Sequence, residues 1–437
     1  MKKIIFSAAV AAVALLSAIG LHAQNFQTAY FLDNYTYSYQ LSPASMPKYN
    51  KGFFGIGIDN ISVSANSNLG LSSVFFPVTV EGKTKLVTGL NDLVSAEQFL
   101  GGLKERNGAV VGASINVLSF GFRGKNDSFH TFEINARVNV AASVPKSFIS
   151  LMKLGCTVPG TYTGSNISLN TTDYIEIVSG HSYRLNDNIR LGGKVKLLAG
   201  VGDASVKIDS FQATANETVD LHAEGSGSVF ALAQEIKADA DGNIDLDFDI
   251  VKPRPGGYGV ALDFGVEMKF PGVEGLSMTA AIMDLGGLVW LNGTTAHAGL
   301  NGKVGEDIQG INLDEILKVD QVGVNKFRML SPTVNAGVKY DVARMLSVGA
   351  LATARFGRYP TYEARLGASF NPGRVLSIAA SAGVNNFGAG FGAALSFNVP
   401  GFNLFIGTDS IVTQFTPEYI PVNRINTRLN LGLAIAF

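Results

Sequence analysis

The sequence predicts an all-β protein: a closed antiparallel transmembrane β-barrel of about fourteen strands, with short helices in its outer loops. Three observations carry this. First, "RINTRLNLGLAIAF" (424–437) alternates strictly, with Ile425, Thr427, Leu429, Leu431, Leu433, Ile435 and Phe437 on one face. Arg424, Asn426, Arg428, Asn430, Gly432, Ala434 and Ala436 occupy the other. Period two marks a strand between two different environments. Second, charged residues make up only 16% and glycines number 50, while mean hydropathy is +0.22. After the first two dozen residues, no apolar run reaches the roughly 18 residues of a spanning helix. Apolar content dispersed in short alternating pieces suits a barrel, because only half of each strand touches lipid. Third, short and long connections alternate along the chain.

Residues 1–23 read as a secretory signal peptide. Lys2 and Lys3 precede the apolar stretch Ile4–Leu21, and Leu21-His22-Ala23 approximates a small-x-small cleavage site, placing the cut after Ala23. Residues 24–50 form a separate segment, and the barrel is expected over 51–437.

Strands are expected at 53–65, 109–122, 130–142, 173–184, 189–202, 257–270, 276–291, 331–341, 345–356, 361–370, 374–385, 387–399, 401–410 and 424–437. In "YGVALDFGVEMKF", Tyr258, Val260, Leu262, Phe264, Val266, Met268 and Phe270 oppose Gly259, Asp263, Gly265, Glu267 and Lys269. Twelve steps at about 3.3 Å and a tilt near 40° rise about 30 Å, an apolar band plus its aromatic girdles. A soluble sandwich shares the period, but its strands are shorter. The short links "VPG", "NPG", "DVAR", "PGVEG", "RLNDN" and "RGKNDS" fall on one end, and the insertions 66–108, 143–172, 203–256, 292–330 and 411–423 on the other.

Within the insertions, 91–105 reads as a short amphipathic helix capped by Asn91 or Asp92, and 145–155 as another stopped by Gly155. A third is expected in "NLDEILKVDQV" (312–322). Segment 203–256 begins with alternation, so neighbouring strands are expected to continue past the membrane as a hairpin.

Enzymatic motifs are scarce, and no enzyme or cofactor is expected. His130, His181, His222 and His297 are not spaced as a metal pair on one strand face. His181 with Ser179 or Ser182 is the nearest approach to a lipase-like pair. "DADGNIDLDFD" places Asp239, Asp241, Asn243 and Asp245 at alternate positions like a Ca²⁺ loop, but glycine comes fourth and no Glu closes the loop. The default for it is an acidic solvated loop. Cys156 is the single cysteine, so no disulfide framework exists, and a net charge of −1 gives no sign of a nucleic-acid partner.

The phrases "AYFLDNYTYSYQLSPASMP", "SANSNLGLSSVFFP", "FEINARVNVAASVPKSF", "MDLGGLVW" and "GFNLFIGTDS" together resemble a Bacteroidota outer-membrane family of unassigned function. That family is similar in turn to FadL-like fatty-acid transporters and to PorV-type barrels. The resemblance implies an outer-membrane location and an N-terminal segment, 24–50, tucked into the lumen as a hatch. Fatty-acid transporters carry Asn-Pro-Ala in that segment; the matching positions here are Ser42, Pro43 and Ala44. Phe437 matches the terminal aromatic that barrel-insertion machinery reads. Inward positions then include Glu133, Arg137, Lys194, Asp263, Glu267, Glu363, Arg365 and Arg428, with Lys196, Lys269 and Lys339. They serve either as cross-strand ion pairs or as a socket for the hatch. The expected partners are outer-membrane lipid, the insertion machinery and a small hydrophobic or amphipathic ligand. The alternative is a non-transporting surface or secretion-associated barrel that docks proteins through 203–256 and 292–330.

Overall fold

The computed structural model describes residues 26–48, 51–80, 82–155, 160–215, 219–231, 235–238, 244–247, 255–304, 317–357, 360–411 and 424–437. The expected signal peptide and Cys156 lie outside the described residues. In chain order the strands are β1 (Gly52–Gly70), β2 (Phe75–Val80), β3 (Lys83–Thr88), β4 (Arg106–Arg123), β5 (Phe129–Pro145) and β6 (Gly160–Arg184). Then come β7 (Ile189–Ala215), β8 (Val219–Ala231), β9 (Glu235–Ala238), β10 (Ile244–Asp247), β11 (Gly257–Lys269), β12 (Leu276–Val304) and β13 (Leu317–Met329). The chain finishes with β14 (Thr333–Ala343), β15 (Leu346–Arg355), β16 (Thr361–Phe370), β17 (Leu376–Asn385), β18 (Gly388–Val399), β19 (Phe402–Thr408) and β20 (Arg424–Ala436).

Fourteen of these close a ring in the order β1, β4, β5, β6, β7, β11, β12, β14, then β15 through β20 and back to β1, each pairing antiparallel. The seam pairs Asn60 with Gly432 and Ser64 with Arg428, and the backbone of Phe437 exchanges hydrogen bonds with Gly52 (2.9 and 3.0 Å). Closure leaves no ring strand without a neighbour on either side, the condition that hydrocarbon solvent imposes.

Side chains are arranged inside out relative to a water-soluble sandwich. On β20, Leu429 and Ile435 are 55% and 54% exposed, whereas Arg428 and Asn430 are each 3% exposed. The same parity runs through β11 and β16, where Val260, Phe264, Tyr362 and Leu366 face outward and Asp263, Glu363 and Arg365 face inward. Phe264, Phe270, Tyr340, Phe356, Phe370, Phe402 and Phe437 are exposed aromatics on the outer surface. Among the described residues no helix is long and apolar enough to cross a membrane.

The wall is uneven. β6, β7 and β12 have 25, 27 and 29 residues, while β15, β16 and β17 have ten each. Above β11, β8 fills the gap between β7 and β12, and β13 continues the line of β14 along β12. The expected extension of segment 203–256 as a hairpin is therefore present. Two small hairpins, β2–β3 and β9–β10, sit in the insertions.

The helix expectations need two corrections. The first helix, α1, is only Ala96–Gly101, and its cap is Ser95, whose hydroxyl accepts from Gln98 N at 3.2 Å. Asn91 instead closes a local turn, accepting from Leu93 N at 3.0 Å. In 312–322 the described part begins at Leu317 and is strand β13, because β12 offers it a hydrogen-bonding edge that outweighs local helix propensity. The second helix, α2 (Lys146–Leu154), ends at Gly155 as expected.

Candidate functional site: the filled lumen

Residues Phe26–Lys48 lie inside the ring. Phe26, Phe31, Tyr35, Tyr37 and Tyr39 form one buried cluster with Phe53, Phe129, Leu351 and Phe405 of the wall, so the segment spans the lumen from β1–β5 to β15–β19. Tyr39 stacks on Phe53 (5.8 Å, 16°), and Tyr35 meets Phe405 edge-on at 4.7 Å. Such pairs contribute about 0.5–1.5 kcal/mol each beyond the area they bury. Glycine makes room for it: a Cβ at Gly367 would overlap the Phe31 ring, and one at Gly192 the Pro43 carbonyl.

Three polar groupings hold the segment. On the low wall, Glu363 accepts from Arg365 (2.8 Å) and Arg428 (3.2 Å), Arg428 also pairs with Asp409, and Arg365 donates to the Asp409 carbonyl at 2.9 Å. The Asp409 carboxylate accepts from the backbone N–H of Gln27 (2.9 Å) and Thr28 (2.7 Å) and from the Thr28 hydroxyl (2.5 Å). It thus caps the 3₁₀ turn Thr28–Phe31 from outside the segment, satisfying donors that the turn leaves unpaired. Two carboxylates and two guanidiniums balance, which keeps their burial tolerable.

Across the lumen, Glu133 accepts from Lys194 (3.0 Å), Gln40 (2.9 Å) and Asn116 (3.2 Å), so the segment's Gln40 completes a wall network. Lys194 lies 4.6 Å from the Tyr39 ring centre. Arg137 pairs with Glu176 at 2.8 Å, and Lys196 bridges Asp263 (2.9 Å) and Asp284. These groups line a small polar cavity of about 40 Å³, room for about three waters.

At the end with the short turns, Asp33 pairs with Lys48 (2.8 Å) and Lys339, and Lys339 also donates to the Phe31 carbonyl at 3.1 Å. Burial alone would raise the Asp33 carboxyl, but the Lys339 and Lys48 ammonium groups outweigh it and hold it below its usual value. Below lies an open vestibule of about 1210 Å³, into which Ser42, Arg190, Glu267, Lys269 and Lys339 face. A second hollow of about 730 Å³ indents the outer face of β11–β18, lined by Met268, Met278, Ala336, Ala352, Leu366 and Phe391.

Every inward charge expected from parity is thus placed, but not in one site. Glu363, Arg365 and Arg428 come together; Glu133, Arg137, Lys194 and Asp263 form a second group; Glu267 stands at the vestibule. Ser42, Pro43 and Ala44 rest against Gly192 and Gly265 of β7 and β11. Asp239, Asp241 and Asn243 lie outside the described residues, and Asp245 is on β10 opposite Lys237. Among the described residues no cluster of three His, Cys, Asp or Glu is arranged for a metal. Ser182 points into the barrel while His181 points out, so they form no lipase-like pair. Asp409 and Glu176 were missed, although the alternation Asn403, Phe405, Gly407, Asp409 places Asp409 on the inner face.

The model of a family described as "Family of unknown function (DUF5723)" matches residues 43–409. The chain belongs to that family. No curated protein matches it. Among solved structures, a TodX deltaS2S3 mutant monoaromatic hydrocarbon channel is 10% identical, with 96% of this chain and 97% of that one covered and a TM-score of 0.45. The toluene transporter TodX of Pseudomonas putida is 9% identical, with 96% of each chain covered and a TM-score of 0.42. A FadL homologue of Pseudomonas aeruginosa is 11% identical over 95% of this chain and 98% of that one, with a TM-score of 0.39.

Proposed function

We propose that this protein is an outer-membrane channel for passive entry of small hydrophobic or amphipathic molecules, with residues 24–50 as its removable hatch. One observation carries the reading: the lumen is filled by a segment of the chain's own N-terminal part, tied to the wall through the Asp33–Lys339 ion pair, hydrogen bonds and aromatic packing rather than through a strand ladder. Such contacts open without breaking the sheet. The apolar hollow outside β11–β18 and the polar groups within suit an amphipathic solute better than a simple ion. The exposed leucines and isoleucines meet outer-membrane lipid, and Phe437 serves as the signal for insertion.

Deleting residues 24–50 is expected to raise single-channel conductance in planar bilayers several-fold while the barrel still inserts. Unchanged conductance would remove the hatch from the proposal. The tall wall favours a second reading, a barrel that docks protein partners, secretion components among them, through 203–256 and 292–330. A pull-down with those segments intact and trimmed separates the two, because trimming leaves hatch-dependent conductance in place.

A further inference from the structure

Two imidazoles that are 51 positions apart in the chain meet on the outer face of the barrel. His130 on β5 and His181 on β6 are directly opposite in the register, and their Nδ1 atoms are 3.2 Å apart. The ring centres lie 4.5 Å apart with planes tilted by 44°. Phe122 of β4 stacks on His130 (5.0 Å, 17°), and Tyr183 stacks on His181 (6.1 Å, 19°), so aromatic walls flank the pair on both sides. The Nε2 of His130 lies 3.4 Å from the Ser128 hydroxyl. His130 is the second residue of β5, and His181 stands three residues before the end of β6. Both therefore sit at the short-turn rim, at the level of lipid headgroups and water.

From this geometry we propose that His130 and His181 form a two-point site for a borderline divalent transition metal, Zn²⁺ or Cu²⁺. Two metal–nitrogen bonds of about 2.0–2.1 Å meeting near the tetrahedral angle hold their nitrogens about 3.3–3.4 Å apart. The observed separation lies within about 0.2 Å of that span. Neutral imidazole binds through one nitrogen while the other N–H is held by a second group, and Ser128 supplies that acceptor for His130. The sheet fixes both Cα positions, so the metal has little ordering entropy to overcome. Two ligands leave positions open for water or a lipid phosphate oxygen. Bound metal would clip β5 to β6 beside the turn "RGKNDS". Cu²⁺ is expected to bind more tightly than Zn²⁺, following the general order for nitrogen ligands.

The test uses the chain without residues 1–23, in detergent micelles, titrated calorimetrically with ZnCl₂ and then CuSO₄. Saturable binding with one metal per chain is expected. His130→Gln and His181→Gln should each weaken it tenfold or more, while the double variant of His222→Gln and His297→Gln leaves it in place. His181 is exposed, so H181Q reports on the site even if H130Q disturbs folding. If wild type shows no saturable binding, or H181Q binds as wild type does, the pair is an N–H···N hydrogen bond alone and the proposal is overturned.

Discussion

The tall wall of β6, β7 and β12 and the low wall of β15–β20 belong to one sheet yet obey different rules. At about 3.3 Å per residue and a tilt near 40°, a 27-residue strand rises about 70 Å and a ten-residue strand about 25 Å. The low wall is only as high as the apolar band. It is apolar outside and holds its charges inside, where they grip Thr28. The tall wall keeps this pattern only near the short turns, at Ile175, Ile177, Val195 and Leu197. Farther along, Lys207 and Asp209 are both about half exposed. The difference teaches that facing is set by the surrounding solvent, and that strand pairing persists where that solvent changes.

The comparison can be tested at its strongest point first. Replacing Arg428 by Ala takes the ion pair from the buried Asp409 carboxylate and leaves Glu363 with Arg365, a loss expected to cost about 3–5 kcal/mol. Urea unfolding in lipid vesicles would measure it. Next, Leu431→Arg and Ile177→Arg place a charge in the band and should each cost about 2–4 kcal/mol, whereas Leu169→Arg, higher on the same β6, should cost about 0–1. Equal penalties at Ile177 and Leu169 would end the distinction between the walls. Gly367→Val drives a side chain into Phe31 and should cost about 1–3 kcal/mol, mostly from the hatch. Faster tryptic cleavage at Lys48 with an intact barrel is the expected sign.

The smallest effect concerns pH. The Asp33 carboxyl lies below its free value near about 3.9, so its contribution is complete at neutral pH and disappears as pH falls through the lowered value. Asp33→Asn should remove this acid sensitivity. Single-channel conductance of wild type and D33N, recorded from pH 7 to pH 3, would show it.

Much of the low wall was legible because its physics is local. "NPG" and "VPG" stop strands, lipid enforces alternation, and parity alone placed Glu363, Arg365 and Arg428 inside. The tall wall was less legible, since "GTYTGSNISLNTT" meets water on its outer side and carries no oily face to mark it. Asp284 shows another limit. It sits at φ 62° beside a register shift between β11 and β12, so no count by twos predicts that it reaches Lys196. The His130–His181 pair depends on a register fixed across a long insertion, which neither strand announces by itself. Leu317–Val322 was misread because the neighbour that makes it a strand, β12, is distant in the chain.

The seam between β1 and β20 has a kinetic consequence. The partners that close the ring lie at opposite ends of the polypeptide, so its earliest strand has to wait for the latest one to be made. Until then the unclosed sheet carries two raw margins, each able to recruit the wrong neighbour. Assembly of this molecule should therefore be slow, however stable the finished cylinder is.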